Sequence, residues 1–281
     1  MHEQKKFPRS FSFEFFPPRN AEGAVKLRDT VQQLAQLKPK FFSVTFGAGG
    51  STREGTYETV KEIQAMGQLA APHISCVGTT RADIRTLLDA YRKLGIRHLV
   101  ALRGDLPKDA PLTGDFHFAN ELVAFIRAET DSEFVIEVAA YPEFHPESPS
   151  VEADISHFVN KVKAGANSAM TQYFFNVDAY WRFVEECAAR GVDVPIVPGI
   201  MPITNYKQLA RFSDACGAEI PRWIRRRLEN FGDDLDSMRA FGLDVTTDLC
   251  DRLLSGGSPG LHFYTLNRAG TACTVWERLG L

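Results

Sequence analysis

An acid stands in the middle of an apolar, strand-like run, FSFEFFPPR, at residues 11–19. Successive residues of a strand point to opposite faces, so Phe11, Phe13 and Phe15 share one face while Ser12, Glu14 and Phe16 share the other. A carboxylate placed this way is either solvated on the wet side of a half-exposed strand or held at a site where it can give or take a proton. Pro17 and Pro18 end the strand at once and stiffen its exit, which would fix where the acid stands.

Further polar residues end other apolar runs: Thr45, His73, the Arg103-Gly104-Asp105 turn, Tyr141 with His145, Gln172, and Tyr264 through Arg268. Each also has a structural explanation. Gly47, Gly49 and Gly50 could cradle a phosphate, but they do not form G-x-G-x-x-G, and Ser51-x-x-Glu54 reads better as a helix capping box. Taken alone, His73 after Pro72 reads as a hydrogen-bonded core histidine. Glu143-x-His145 has no third ligand at a recognisable spacing, so no metal is expected. The RGD of residues 103–105 closes a buried-looking strand and does not read as an adhesion motif.

The elements that must position these groups alternate. Strand-like runs occupy 11–16, 41–46, 72–77, 98–103, 134–141, 168–175, 194–199 and 261–266, and helical periodicity fills stretches such as 24–37, 81–95 and 151–165. The spacing predicts an α/β fold, a single-domain (β/α)8 TIM barrel over residues 1–281, with extra helices in the long stretch between the seventh and eighth strands. In that fold helices cover the outside of the strands. The all-Phe face of 11–16 therefore belongs under helices, and Glu14 points inward near the C-terminal, catalytic end of its strand.

With 281 residues, 44% hydrophobic and 24% charged, the chain has ordinary globular composition. Its net charge of -3 argues against a nucleic-acid binder, and the basic cluster Arg222, Arg225, Arg226 and Arg227 reads as a solvated helix face. The five scattered cysteines suggest reduced, buried thiols. No signal peptide or membrane span is visible, so the expectation is a cytoplasmic protein with no membrane partner.

Seven segments in order, SFEFFPPR, SVTFGAGGSTRE, LVALRGDLP, AAYPEFHPE, GANSAMTQYFFN, PGIMPITNYKQ and HFYTLNRA, resemble the methylenetetrahydrofolate reductase family. The likeness runs from about residue 8 to the C-terminus and is to the short bacterial form, catalytic domain only. It implies FAD in the barrel mouth, reduced by NAD(P)H, with NADH preferred, and reoxidised by 5,10-methylenetetrahydrofolate in the same site to give 5-methyltetrahydrofolate. The absence of a dinucleotide fingerprint fits a nicotinamide that binds over a flavin.

By the same resemblance Glu14 protonates N10 as the folate ring opens, and Asp105, beside the flavin, stabilises the resulting cation. Gln172, Gln208, Phe212 and Arg268 match substrate-side positions. Flavin positions carry onto Thr45, Phe46, Ala48, His73, Arg103, Gly104, Asp105, Ala119, Tyr141, His145, Asp154 and Lys161, with Arg103 and Lys161 supplying charge for the pyrophosphate. Phe118, His157 and Asn160 occupy positions of the same set but depart from the family's residues. A free glutamate has a pKa of about 4.3, so most would be ionised at pH 7; aromatic burial and a nearby second carboxylate can raise that value, and the residues that surround Glu14 decide it. A homo-oligomer, dimer or tetramer, is implied. The competing reading is a non-catalytic folate- or flavin-binding partner subunit with the same barrel, against which the retained Glu14, Asp105 and Gln172 argue. An aldolase would want a Schiff-base lysine at a strand end, and the eight strand ends lack one.

Overall fold

The computed structural model describes residues 3–46, 52–104 and 113–281. After a 3₁₀ turn at Glu3–Lys6 the elements follow as β1 (Ser10–Phe15), α1 (Ala21–Ala35), β2 (Phe41–Val44), α2 (Arg53–Ala65), β3 (Ala70–Ser75), α3 (Arg81–Lys93) and β4 (His98–Leu102). Then come α4 (Ala119–Thr130), β5 (Val135–Ala140), α5 (Val151–Lys163), β6 (Ser168–Thr171) and α6 (Val177–Ala189). The remainder is β7 (Ile196–Val197), β8 (Gly199–Ile200), α7 (Tyr206–Cys216), α8 (Arg222–Phe231), α9 (Leu235–Gly256), β9 (Gly260–Tyr264) and α10 (Gly270–Leu279).

Every strand pair is parallel, in the order β7-β6-β5-β4-β3-β2-β1-β9-β8. The ring closes because β7 and β8 are two halves of one barrel strand, interrupted at Pro198. Proline has no N–H to give a ladder. The half before it pairs with β6 and the half after it with β9, while the Pro198 carbonyl accepts from His262 N at 2.9 Å. The architecture is the expected (β/α)8 barrel, and the long stretch before the last strand holds α7, α8 and α9.

Helix starts are set by side chains that satisfy the first free N–H groups. Asn20 accepts from Gly23, Thr80 from Asp83 and Ser150 from Ala153. The capping box expected at Ser51 is displaced. Thr52, extended at φ -98 and ψ 162, caps α2 by accepting from Gly55 N, and Ser51 lies outside the described residues.

The outward Phe face packs as expected. Phe13 and Phe15 are fully buried in the layer between strands and helices, with Phe13 5.6 Å from Phe263 and Phe15 5.5 Å from Phe42. Each such ring removes about 1.5–3 kcal/mol worth of apolar surface from water. On α8, Ile224 and Leu228 are buried and the four arginines are exposed, as a solvated helix face requires. With residues of α7 and α9 they form a second apolar cluster around Ile203, Leu209 and Met238, which also takes in Tyr173 and Phe175 beyond β6. All five cysteines are free. Among the described residues no helix is long and apolar enough to cross a membrane.

Candidate active site

Strand register carries Glu14 to the barrel interior, beside Ser43 of β2 and Tyr264 of β9. Its Oε2 lies 3.3 Å from Nε2 of His73 on β3 and 3.5 Å from Nε2 of His262 on β9. The carboxylate is 11% exposed, His73 8%, and His262 fully buried. His262 Nδ1 shares a 2.7 Å hydrogen bond with Ser12 Oγ, which fixes the ring with Nε2 toward the acid. Both Nε2 atoms face the carboxylate at contact distance, and each contact becomes an ion pair when its imidazole is protonated.

Burial by itself would push the Glu14 carboxyl up. The charge of His73, with the proximity and charge of His262, outweighs burial and holds it at about 2. Aromatic neighbours therefore do not set the Glu14 pKa. Phe13 and Phe15 face the helices, and imidazoles face Glu14. The second carboxylate invoked for the same purpose, Asp105, lies outside the described residues.

The backbone of Glu14 is held from the last strand. Thr265 Oγ1 donates to the Glu14 carbonyl at 2.6 Å. Asn267 grips Phe16 on both sides, its Oδ1 accepting from Phe16 N at 2.8 Å and its Nδ2 donating to Phe16 O at 2.8 Å. To do so Leu266 and Asn267 adopt φ of 52° and 57°, a left-handed conformation costing about 1–2 kcal/mol for a residue with a side chain. Asparagine tolerates it better than most.

Two cavities share this rim. The mouth cavity, about 350 Å³, is lined by Glu14, Thr45, Phe46, His73, Gly104, Tyr141, Gln172 and Tyr264, among others. A side cavity of about 370 Å³ is lined by Arg103, Gly104, Phe118, Ala119, Tyr141, His145, Asp154, His157 and Lys161. Leu102, Gly104, Ala139 and Tyr141 line both, so the two form one elongated recess. Gly104 is required at the junction: its φ is +89°, and a Cβ there would stand 2.0 Å from Ser75 Oγ.

The side cavity carries positive charge. Lys161 Nζ donates to the Ala139 carbonyl at 2.6 Å, and burial pulls its ammonium down to about 8. Arg103 pairs with Glu147 at the rim. Burial raises Asp154, which accepts from His145 N at 3.2 Å, and lowers His145, with help from the Arg103 charge. Phe118 and His157 stack with ring centroids 5.3 Å apart, forming a flat aromatic shelf.

Several positions implied by the resemblance are not in this recess. Asn160 and Arg268 are exposed and line neither cavity, and the same holds for the half-buried Gln208 and Phe212 on α7. Ala48 and Asp105 lie outside the described residues. Conversely, Ser12 and His262 went unassigned, although each stands two residues before an inward rim residue, Glu14 and Tyr264 respectively.

An acid between two imidazoles opens onto an elongated and partly cationic recess at the C-terminal end of a (β/α)8 barrel, the place where enzymes of this fold carry their active sites. The family model described as methylenetetrahydrofolate reductase matches residues 1–280. The 5,10-methylenetetrahydrofolate reductases of Salmonella typhimurium and Escherichia coli are 43% and 42% identical over 272 residues, covering 96% of this chain and 90% of theirs. Methylenetetrahydrofolate reductase (NADH) 1 of Arabidopsis thaliana is 36% identical over 97% of this chain and 48% of its own. In fold, an uncharacterized Clostridium thermocellum protein that binds two copies of 5-methyl-5,6,7,8-tetrahydrofolic acid aligns with a TM-score of 0.65 at 16% identity, covering 94% of this chain and 92% of its own. The chain belongs to the methylenetetrahydrofolate reductase family.

Proposed function

We propose that this protein reduces 5,10-methylenetetrahydrofolate to 5-methyltetrahydrofolate with FAD bound along the recess and NADH as electron donor. Family membership supports the folate reaction. The observation that carries the cofactor reading is the recess itself, whose mouth ends in an unpartnered buried hydroxyl, Thr45 Oγ1, and whose side arm presents Arg103 and Lys161. The residues fit the group: Arg103 and Lys161 would meet the pyrophosphate, the Phe118–His157 shelf the adenine end, and Thr45, His73 and Gly104 the ring system. When bound, the flavin supplies hydride storage between donor and folate.

In this reading Glu14 delivers a proton to N10 of the folate as the five-membered ring opens. The low pKa is compatible with that task because it depends on the imidazole charges. If an imidazolium hands its proton to Oε2, the ring becomes neutral, and the burial that opposes ionisation then favours the protonated carboxyl. Glu14 is an acid loaded by its histidine neighbours. Gln172 fits a pterin contact at the same mouth: its Oε1 accepts from Tyr173 N at 3.0 Å, which fixes the amide. Reading NADH as the donor follows the Arabidopsis relative that carries it in its name.

The test is a visible spectrum of the purified protein, then anaerobic NADH, then methylenetetrahydrofolate. A flavin band bleached by NADH and restored by the folate is expected. A protein that stays colourless with added FAD would refute the reading.

A further inference from the structure

The mouth does not exhaust the buried acid–base groups of the barrel. At the opposite, N-terminal end, Glu137 of β5 is 2% exposed, yet one of its oxygens, Oε1, has no hydrogen-bond partner. Ser168 Oγ donates to the other oxygen, Oε2. His98 Nε2 and Lys40 Nζ stand 3.5 Å and 4.0 Å from Oε1. These contacts outweigh burial and hold the carboxyl below its usual range. Glu137 lines a floor cavity of about 130 Å³ together with Arg9, Ser10, Ser12, Lys40 and Ser168. That volume admits several waters, and a buried carboxylate oxygen lacking a partner is the kind of group ordered water satisfies.

The N-terminal face of such a barrel is ordinarily given over to stability. Here the floor cavity touches the catalytic column: Ser12, which lines it, is the residue bonded to His262 Nδ1, and His262 Nε2 faces Glu14. Lys40, 44% exposed, connects the cavity with solvent. The floor cavity and the Ser12–His262–Glu14 contacts thus follow one another from the floor of the barrel to its mouth.

We propose that the barrel floor is the proton entrance for Glu14: water held by Glu137 and Lys40 passes a proton through Ser12 and His262 to the acid at the mouth. Resting on the functional reading above, the route answers a need of that reaction, because each folate turnover consumes a proton while ligands fill the mouth. The transfer moves protons only. His262 Nε2 gives its proton to Glu14 Oε2, Nδ1 takes the Ser12 hydroxyl proton, and Ser12 recovers one from floor water that is replenished from solvent. Once product leaves and the mouth opens, Nε2 takes a proton from mouth water as Nδ1 returns one to Ser12, and Ser12 passes one back to the floor water, which restores the first tautomer.

The test uses FAD-loaded protein with Glu137→Gln, which keeps the shape and the Ser168 contact, and Lys40→Met, which alters an exposed floor residue. We expect both to slow folate-driven flavin reoxidation about 10-fold, less than loss of the acid itself. They should also enlarge its solvent deuterium isotope effect and leave NADH-driven flavin reduction unchanged. With 5-methyltetrahydrofolate filling the mouth, exchange of the His262 ring N–H with solvent, followed by 15N NMR, should slow comparably. An unaltered folate step and isotope effect in both variants would overturn the route, even if ring exchange slowed. If the unaltered protein's reduced flavin is not reoxidised by the folate, the reading of the site itself fails and the route falls with it.

Discussion

Replacing Glu14 by Gln keeps the shape of the barrel mouth and removes the charge that His73 and His262 hold in place. The folded carboxyl sits at about 2 against 4.5 for a free one. A carboxyl depressed on folding stabilises the protein above its unfolded pKa, and that contribution is lost as pH falls toward the folded one. At about 1.4 kcal/mol per tenfold change in proton affinity, it amounts to roughly 3 kcal/mol, of which about 2 should be gone by pH 3. Urea unfolding of both proteins, followed by circular dichroism from pH 6 to pH 3, gives the comparison. Glu137 titrates in both and cancels. The advantage of the unaltered protein over the variant should shrink by about 2 kcal/mol between pH 5 and pH 3. A difference that stays constant to within about 0.5 kcal/mol, the scale of extrapolation error, would refute the electrostatic account of Glu14.

The same Glu14→Gln variant should leave NADH reduction of the flavin nearly intact and slow the folate step by roughly 10²- to 10⁴-fold in stopped-flow absorbance; equal loss in both steps would count against a proton-donor role. Asn267→Ala should cost about 2–4 kcal/mol in urea unfolding, from two lost hydrogen bonds and a left-handed backbone, whereas Asn267→Gly, which relieves the backbone, should cost less. Lys161→Met should weaken FAD binding about 10- to 100-fold in a fluorescence titration, the worth of a charge-assisted hydrogen bond. Because burial places the Lys161 ammonium at about 8, FAD affinity of the unaltered protein should fall as pH rises through that value, and the variant should lack that fall.

The eight strand positions were readable because period-two alternation and helical periodicity are imposed by the same faces that pack in the fold, as Phe13 and Phe15 demonstrate. The break at Pro198 was not, since a proline inside an apolar run does not reveal which neighbour each half will pair with. Glu14 was legible as an inward acid from Ser12 and the two prolines after it. Its protonation was not, because that depends on His73 and His262, which reach it from other strands; His262, about 250 positions away, looks like any histidine in an apolar strand. Likewise, the Asn267 grip on Phe16 follows from two left-handed residues whose conformation a single sequence does not announce.

The seam between β1 and β9 also orders events in time. Glu14 belongs to the first strand made, but His262, Thr265 and Asn267 belong to the last, and the hydrogen bonds across the seam span 250 and 251 positions. At about 5–20 residues per second during synthesis, the acid waits on the order of 10–50 s for the residues that hold it. Until the final strand docks there is a partial barrel with an ungripped carboxylate and no complete mouth. Competence for chemistry therefore arrives with closure of the ring, so an unfinished chain cannot turn over substrate prematurely.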